Sequence, residues 1–354
     1  MNYFDRAIKR LVEADEPLDR ETFLKESMEH FPKKLYKYRK CNSNGFDMLK
    51  NEYIWADNPE RFDDPIDSKV NHRLRYELPS IHRWLDSHLG ELLYYCLPPK
   101  GMKERKGNNK LKDYIDAQEH FLDDNGKFNS KLARKEMLLE LKKLPKEKRD
   151  ACLKVFDYFQ SKAFENECNK VIRATIDGIV NVFRKSKIIA CLTARNDNSV
   201  MWENYSAKYS GFCVEYQINT RKLTSESKTA LINLFPVIYR KRIPGINLLP
   251  FIKYHFNKSL YGREYDIKRD LVLLNKQLLY KKYDYSYEEE WRIILNEKSA
   301  RQVSFPFVSA VYAGYKISET NFKKLKTICK KKGIPLYKQK INIYTNKFSY
   351  EQII

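Results

Sequence analysis

The stretch YEEEWRII at residues 287–294 joins three consecutive acids to a strongly apolar run. The apolar part predicts a β-strand, in which successive side chains point to opposite faces. If the whole stretch is extended, Glu288, Glu290 and Arg292 share one face, and the side chains between them point into a core. Two carboxylates and a guanidinium on one face of a core-anchored strand indicate a functional site.

Strand-like and helical patterns alternate on either side of this stretch. From about residue 76 to residue 186 glycine is sparse and apolar residues recur at helical spacing, which predicts a large helical insertion. The fold class is α+β, with a mixed, largely antiparallel sheet. We expect residues 1–75 and 187–354 to form the two parts of the α+β core, and 76–186 to form the insertion or subdomain. The predicted strands are 34–39, 52–56, 187–193, 211–216, 235–239, 291–295, 308–313 and a last one around 341–343.

The chain is strongly basic, with 67 basic and 46 acidic residues and a formal net charge of +21. This excess favours a polyanionic partner: nucleic acid, an anionic membrane surface or a phosphate-rich ligand. Basic residues concentrate at 100–112 and on the outer face of a predicted helix near 318–333. They also alternate with tyrosines at 280–285, where rings could stack on single-stranded bases. Ordinary solvated surface charge explains the same pattern, and both interpretations stay open.

Composition also bears on the cellular compartment. The sequence contains no apolar run of about 18 residues, the length that a membrane span needs, and its first residues lack a signal-peptide pattern. The seven cysteines are scattered without a C-x-x-C pair, which argues against a thiolate zinc site and for reduced thiols. We therefore expect a cytoplasmic protein with no membrane span.

Motifs spread along the chain resemble a bacterial family, domain of unknown function 2971. They are LYKYR at 35–39, IWA at 54–56, FDDPID at 62–67, CLT at 191–193, MWENY at 201–205, GF at 211–212, YEEEWRI at 287–293 and AG at 313–314. Two positions depart from the family, because Asp63 and Ile66 stand where it usually has asparagine and an aromatic residue.

The order of the candidate residues is also similar to that of ADP-ribosyltransferases, which present an early-strand Arg or His and a late pair of glutamates. By this resemblance Glu290 holds the ribose of NAD and favours the oxocarbenium-like state as nicotinamide leaves. Glu288 orients or deprotonates the acceptor, and Arg39 clamps a phosphate. The resemblance implies an intracellular enzyme that uses NAD as a substrate and modifies nucleic acid or a protein. It further implies a toxin or phage-defence effector.

Aromatic and polar side chains supply the other candidate contacts to NAD. Tyr38 or Trp55 could stack on nicotinamide or adenine. Trp202 and Tyr205 lie three residues apart, a spacing that suits either core packing or the wall of a pocket. For the glutamates, the alternative is a surface ladder of ion pairs beside a core tryptophan. The full set of candidate NAD contacts is Tyr38, Arg39, Trp55, Asp64, Trp202, Tyr205 and Arg292.

An acidic loop at 57–67 suggests a different chemistry. Asp63, Asp64 and Glu290 could hold Mg²⁺ or Mn²⁺ in a metal-dependent nuclease. Turn formation is the alternative, because an aspartate before proline bonds its own backbone. A third hypothesis is a non-catalytic nucleic-acid-binding module in which these acids are structural. The absence of a glycine-rich phosphate loop excludes Rossmann and P-loop sites.

Overall fold

An eight-stranded sheet dominates the first of two units. The structure is a computed structural model that describes residues 20–62, 64, 67–72, 135, 139, 142–143, 145–159, 161–248, 250–252, 254, 268–342, 344–345 and 347–354. The first unit contains the described residues of 1–71, 181–244 and 271–354. The second contains those of 72–180 and 245–270. The proposed split at residues 75 and 186 stays a prediction.

The large sheet contains the strands β1 (Leu35–Arg39), β3 (Ile188–Thr193), β4 (Phe212–Tyr216), β5 (Leu234–Pro236), β8 (Glu290–Leu295), β10 (Val308–Ala313), β11 (Leu336–Asn342) and β12 (Lys347–Gln352). Their order across the sheet is β12-β11-β10-β4-β1-β3-β8-β5. Among these described strands, β10 and β11 are parallel and the other neighbouring pairs are antiparallel. The α+β class with a mixed, largely antiparallel sheet is therefore confirmed.

Two smaller sheets lie in the same unit. The strands β2 (Tyr53–Ala56) and β9 (Arg301–Ser304) pair antiparallel, and β6 (Ile238–Arg240) and β7 (Tyr280–Lys282) pair parallel. Short 3₁₀ helices follow at Pro59–Arg61, Thr220–Lys222 and Tyr283–Glu288.

Helices complete both units. In chain order they are α1 (Arg20–Met28), α2 (Ser43–Asn51), α3 (Lys146–Phe159), α4 (Lys162–Lys185), α5 (Ser199–Tyr205), α6 (Ser225–Ile232), α7 (Lys268–Gln277) and α8 (Glu319–Lys332). The α3 helix and most of α4 belong to the second unit, within the predicted helical region; most of that region lies outside the described residues. No helix of the described part is long and apolar enough to cross a membrane.

Strand β1 is covered on both faces. On one face Tyr38 packs edge-to-face against Trp202, with ring centroids 5.2 Å apart. On the other face Phe46 of α2 stacks on Phe212 at 5.8 Å, where β4 pairs with β1. Because side chains alternate along the strand, Lys37 and Arg39 belong to this second face. The sheet is therefore a buried layer, and charged residues on it must find partners inside the fold.

The β1 and β3 strands share a single residue pair, Tyr36 with Thr193. Farther along, Asp57 pairs with Ile189 of β3 instead. The Lys37 ammonium donates a hydrogen bond to the carbonyl oxygen of Cys191. It thereby satisfies one backbone acceptor of β3 at the point where the two strands separate. Thr193 is also opposite Glu290 of β8. The separation of the strands thus lies beside the acidic stretch.

Candidate functional site

The acidic stretch is only partly extended. Glu288 ends a 3₁₀ helix, and Glu289 has a left-handed backbone with φ of 41°, so that β8 begins at Glu290. The prediction of one continuous strand through Glu288 was wrong for this reason. Trp291 is half-buried and meets Phe31 edge-to-face at 5.9 Å. The glutamates nevertheless come together, because the left-handed residue turns Glu289 outward and leaves Glu288 and Glu290 buried.

Arg292 forms the base of a buried ion cluster. Its side chain is fully buried, and its Nη2 binds both carboxylate oxygens of Asp67, at 2.7 and 2.8 Å. Its Nε donates to Oε1 of Glu290 at 2.8 Å. Its Nη1 donates to Ser68 Oγ and to the carbonyl oxygen of Leu278, at 2.8 and 2.7 Å. A planar guanidinium can satisfy this many acceptors at once, and a lysine at this position could not.

Lys281 of β7 supplies the second cation of the cluster. Its ammonium lies 2.5 Å from Oε2 of Glu288, 3.0 Å from Oε2 of Glu290 and 3.4 Å from Oδ2 of Asp67. The ring of Tyr285 lies 5.1 Å from the same nitrogen. Burial alone would lower the pKa of Lys281, but the three carboxylates outweigh burial and raise it. Lys281 is therefore a fixed positive charge that joins the two glutamates.

The cluster separates the acidities of its two glutamates. Three carboxylates face two cations, so the group is one positive charge short. Burial would raise the pKa of Glu290, but Arg292 and Lys281 hold that pKa well below its ordinary value. Burial raises the pKa of Glu288, and Lys281 compensates only in part. Glu290 is thus held ionised, and Glu288 is the carboxyl that can take up or release a proton.

Hydroxyl and thiol groups border the two glutamates. Tyr205, at the end of α5 and 45% exposed, donates its hydroxyl to Oε1 of Glu288 at 3.4 Å, and so reaches the cluster from the surface. The Tyr239 hydroxyl accepts the backbone N–H of Glu290 at 2.8 Å. Burial and the neighbouring Glu290 raise the pKa of the Cys191 thiol, which makes it a poor nucleophile.

A cavity of about 60 Å³ adjoins the cluster. Asp64, Asp67, Tyr280, Lys281 and Tyr285 are among its lining residues. It has room for a small polar group and not for a dinucleotide. The candidate residue Asp64 therefore lies on the wall of this cavity, beside the buried charges.

The remaining candidate contacts lie elsewhere in the first unit. Arg39 donates its Nε to Met48 Sδ at 2.9 Å, and among the described residues no hydrogen bond or ion pair joins it to either glutamate. Tyr38 is buried and donates to the carbonyl oxygen of Arg195. Trp202 is buried and donates to that of Asn196. Trp55 is exposed and donates to Asp57. The basic residue of β1 near the cluster is Lys37, whose pKa falls to about 8 through burial and is partly restored by Glu290.

The acids are arranged poorly for a divalent cation. Each carboxylate of the cluster already faces Arg292, Lys281 or both, and cations in those positions repel a metal ion. No group of three or more His, Cys, Asp or Glu residues in the described part of the chain could hold a metal ion. Asp63, one ligand of the nuclease hypothesis, lies outside the described residues.

Sequence reasoning missed the partners that organise the cluster. Lys281 was noticed only as one basic residue among tyrosines at 280–285, and Asp67 only as part of an acidic loop. One signal was present in the sequence. Three acids and one arginine at 288–292 leave an excess of negative charge, and burial beside an apolar strand requires a further cation.

Residues 201–293 match the family model described as protein of unknown function (DUF2971). Over this stretch the chain is similar to the DUF2971 family. The resemblance noted in the sequence is thereby confirmed. The DUF2971 match contains Lys281, Glu288, Glu290 and Arg292, whereas Asp67 precedes it. No curated protein and no solved structure matches the chain, and the likeness to ADP-ribosyltransferases stays a prediction.

Proposed function

We propose that the ion cluster is the catalytic centre of a group-transfer enzyme that takes ADP-ribose from NAD. The observation that carries the proposal is the unequal sharing of cations: Glu290 contacts both cations of the cluster, whereas Glu288 contacts Lys281 alone, and this separates the two acidities. Neighbouring carboxyl groups with divergent pKa values are the usual basis for assigning one acid–base group and one permanently charged group.

The two glutamates divide the reaction between them. As the bond from ribose C1 to nicotinamide breaks, nicotinamide leaves with the bonding electrons and positive charge develops on the sugar. The ionised Glu290 stabilises that charge. The acceptor forms the new bond to C1 and passes its proton to Glu288, whose raised pKa makes its ionised form a stronger base. The reaction balances with nicotinamide, the ADP-ribosylated acceptor and one proton on Glu288.

Access to the cluster limits what can bind. Both glutamates are buried, and the adjoining cavity is small, so we expect only the reacting end of a substrate to enter. The rest of NAD would lie over the more exposed residues, among which Tyr205 already contacts Glu288. The phosphate-binding role of Arg39 stays a prediction, since Arg39 contacts Met48 in this conformation.

The test compares three neighbouring glutamates. Purified wild type, Glu288→Gln, Glu290→Gln and Glu289→Gln are incubated with NAD, and released nicotinamide is measured. Glu289 is the matched control, because its side chain is about half exposed and pairs with Arg195 outside the cluster. We expect Glu290→Gln to lose turnover by about 100-fold or more, and Glu289→Gln to behave as wild type. Turnover should also rise with pH through the raised pKa of Glu288, and this rise should vanish in Glu288→Gln.

Several outcomes would remove the proposal. They are absence of NAD turnover in wild type, and full turnover in a Glu290→Gln variant that keeps the wild-type circular dichroism spectrum. Cleavage of RNA or DNA that EDTA abolishes would instead favour the metal-dependent nuclease. The toxin or phage-defence role has its own measurement: growth of cells that express wild type or Glu290→Gln.

A further inference from the structure

A second feature lies apart from the ion cluster, between the α2 and α8 helices of the first unit. The two helices border a groove of about 850 Å³. Its walls include three lysines: Lys50 on α2, and Lys323 and Lys324 on α8. Phe46 and Ile328 are buried residues at its base. The groove is thus an open channel with an apolar floor and basic sides.

The lysines of the groove have few competing partners. Lys50, Lys323 and Lys324 are exposed, and among the described residues no ion pair joins any of them to an acid. The acid that lines the groove, Asp47, is engaged elsewhere. Asp47 accepts hydrogen bonds from Asn51 and from the Tyr53 hydroxyl, at 2.7 and 2.8 Å.

The basic surface continues along α8 beyond the groove. Lys330 and Lys331 follow Lys323 and Lys324 by seven residues, which is about two helical turns on the same side of the helix. Both are exposed, and no described acid pairs with them. Lys332 differs, because it pairs with Glu52 at 2.9 Å. A stripe of this length suits an extended polyanion better than a single phosphate ion.

The uncharged walls indicate which polyanion fits. Thr320 and Ser43 line the groove with hydroxyl groups, which hydrogen-bond phosphate oxygens in nucleic-acid complexes. A helix that lies in a membrane interface instead inserts large apolar side chains. The apolar residues of α8 are directed inward, since Leu325, Ile328 and Cys329 are buried.

We propose that the groove between α2 and α8 is a docking surface for the sugar–phosphate backbone of a nucleic acid. The lysines neutralise phosphates, and the hydroxyl groups bind phosphate oxygens. Binding is independent of base sequence, because the aromatic residue at the floor is buried and no exposed ring is available in the groove lining for stacking. The inference stands apart from the proposed NAD chemistry, since it uses no residue of the ion cluster.

The experiment measures fluorescence anisotropy of a labelled RNA of roughly 20 nucleotides, longer than a typical single-strand site. The matching DNA strand, the matching DNA duplex and phosphatidylserine vesicles are the other arms. The test variant is Lys323→Gln/Lys324→Gln. The control is Lys222→Gln/Lys298→Gln, which removes the same charge at two exposed lysines outside the groove.

Each lost phosphate contact lowers the slope of log K against log salt by about 0.7 on single strands. The groove variant lacks two lysines, so the slope of its salt dependence should be smaller than that of wild type by about 1.4. At about 0.1 M salt its affinity for the RNA should be lower by about 25-fold. The control should change affinity by less than about twofold. Equal losses in both variants would overturn the proposal, because net charge alone would then explain binding. Absence of binding to the RNA and to both forms of DNA, or preference for the vesicles, would also overturn it.

Discussion

The replacement Arg292→Met tests whether the ion cluster is as tightly coupled as its geometry indicates. Methionine fills similar space but leaves Asp67 and Glu290 buried without their main cation. Six hydrogen bonds are lost: three to oxygens of Asp67 and Ser68, one to the carbonyl oxygen of Leu278 and two to Glu290. Their energies do not add, and removal of one partner from a buried ion pair costs about 3–5 kcal/mol. A domain of ordinary stability, about 5–15 kcal/mol, would remain folded but with little reserve.

The pH dependence of this loss has a definite sign. In wild type the folded-state pKa of Glu290 is lowered, so its stabilising contribution is present above its ordinary pKa and is lost as pH falls through the folded value. In Arg292→Met burial without the guanidinium raises the pKa of the remaining carboxyls, and acid relieves their penalty. The difference in unfolding free energy between wild type and variant should therefore shrink from pH 7 to about pH 4.

Urea unfolding followed by tryptophan fluorescence measures this difference. Three of the four tryptophans, at 55, 202 and 291, belong to the first unit, so the signal reports the unit that holds the cluster. Arg301→Met is the matched control, because Arg301 pairs with Glu297 and Glu226 at the surface. Solvent screening limits that loss to about 0–1 kcal/mol. A variant at position 292 that lost no more than the control, or whose loss was the same at both pH values, would refute the coupling.

Four further outcomes are expected. Glu290→Gln should lower the unfolding free energy by about 1–3 kcal/mol. Glu288→Gln should become more stable relative to wild type as pH rises through the raised pKa of Glu288. Urea titrations at several pH values measure both effects. Lys187→Met should raise the melting temperature at pH 7, because burial lowers the pKa of Lys187 to about 8 and so disfavours its charged form. The gain in unfolding free energy should be at most about 3 kcal/mol. Calorimetry measures the melting temperature, and a lower value than that of wild type would contradict the prediction. Gly211→Ala should cost about 1–3 kcal/mol, because a Cβ there would lie 2.1 Å from the carbonyl oxygen of Arg39; a chemical denaturation curve equal to that of wild type would contradict it.

Local pattern predicted the strands well because each reflects its own apolar run. The β10 strand matches its predicted range, and β1, β3, β4 and β8 differ from theirs by one residue at a single end. The α2 helix begins at Ser43, because Asn42 caps it through the Gly45 N–H. The β7, β9 and β12 strands were missed, since all three are rich in polar residues and are defined by pairing with a partner strand.

The candidate site was predictable only in part. The clustering of Glu288, Glu290 and Arg292 follows from a short segment, although not through the strand alternation first expected. The contact of Asp67 with Arg292 spans 225 residues of sequence, and neither local spacing nor charge indicates which of the loop acids makes it. The role expected of Arg39 stays a prediction. Alternation places Lys37 and Arg39 on the same face of β1, and only contacts with neighbouring elements show that Lys37 is the one near Glu290.

The position of Glu289 explains why the two inner glutamates differ. A fourth buried carboxylate at this point would add negative charge to a group that already lacks one cation. The left-handed backbone at Glu289 instead places its side chain at the surface, where it pairs with Arg195 at 3.4 Å. The same turn moves Glu288 off the strand, away from Arg292 and toward Lys281 and Tyr205. Glu290 keeps two cations and Glu288 keeps one, and this unequal sharing is sufficient to separate their pKa values. A backbone change at Glu289 should therefore alter the acidity of Glu288 without removing any charged group of the cluster.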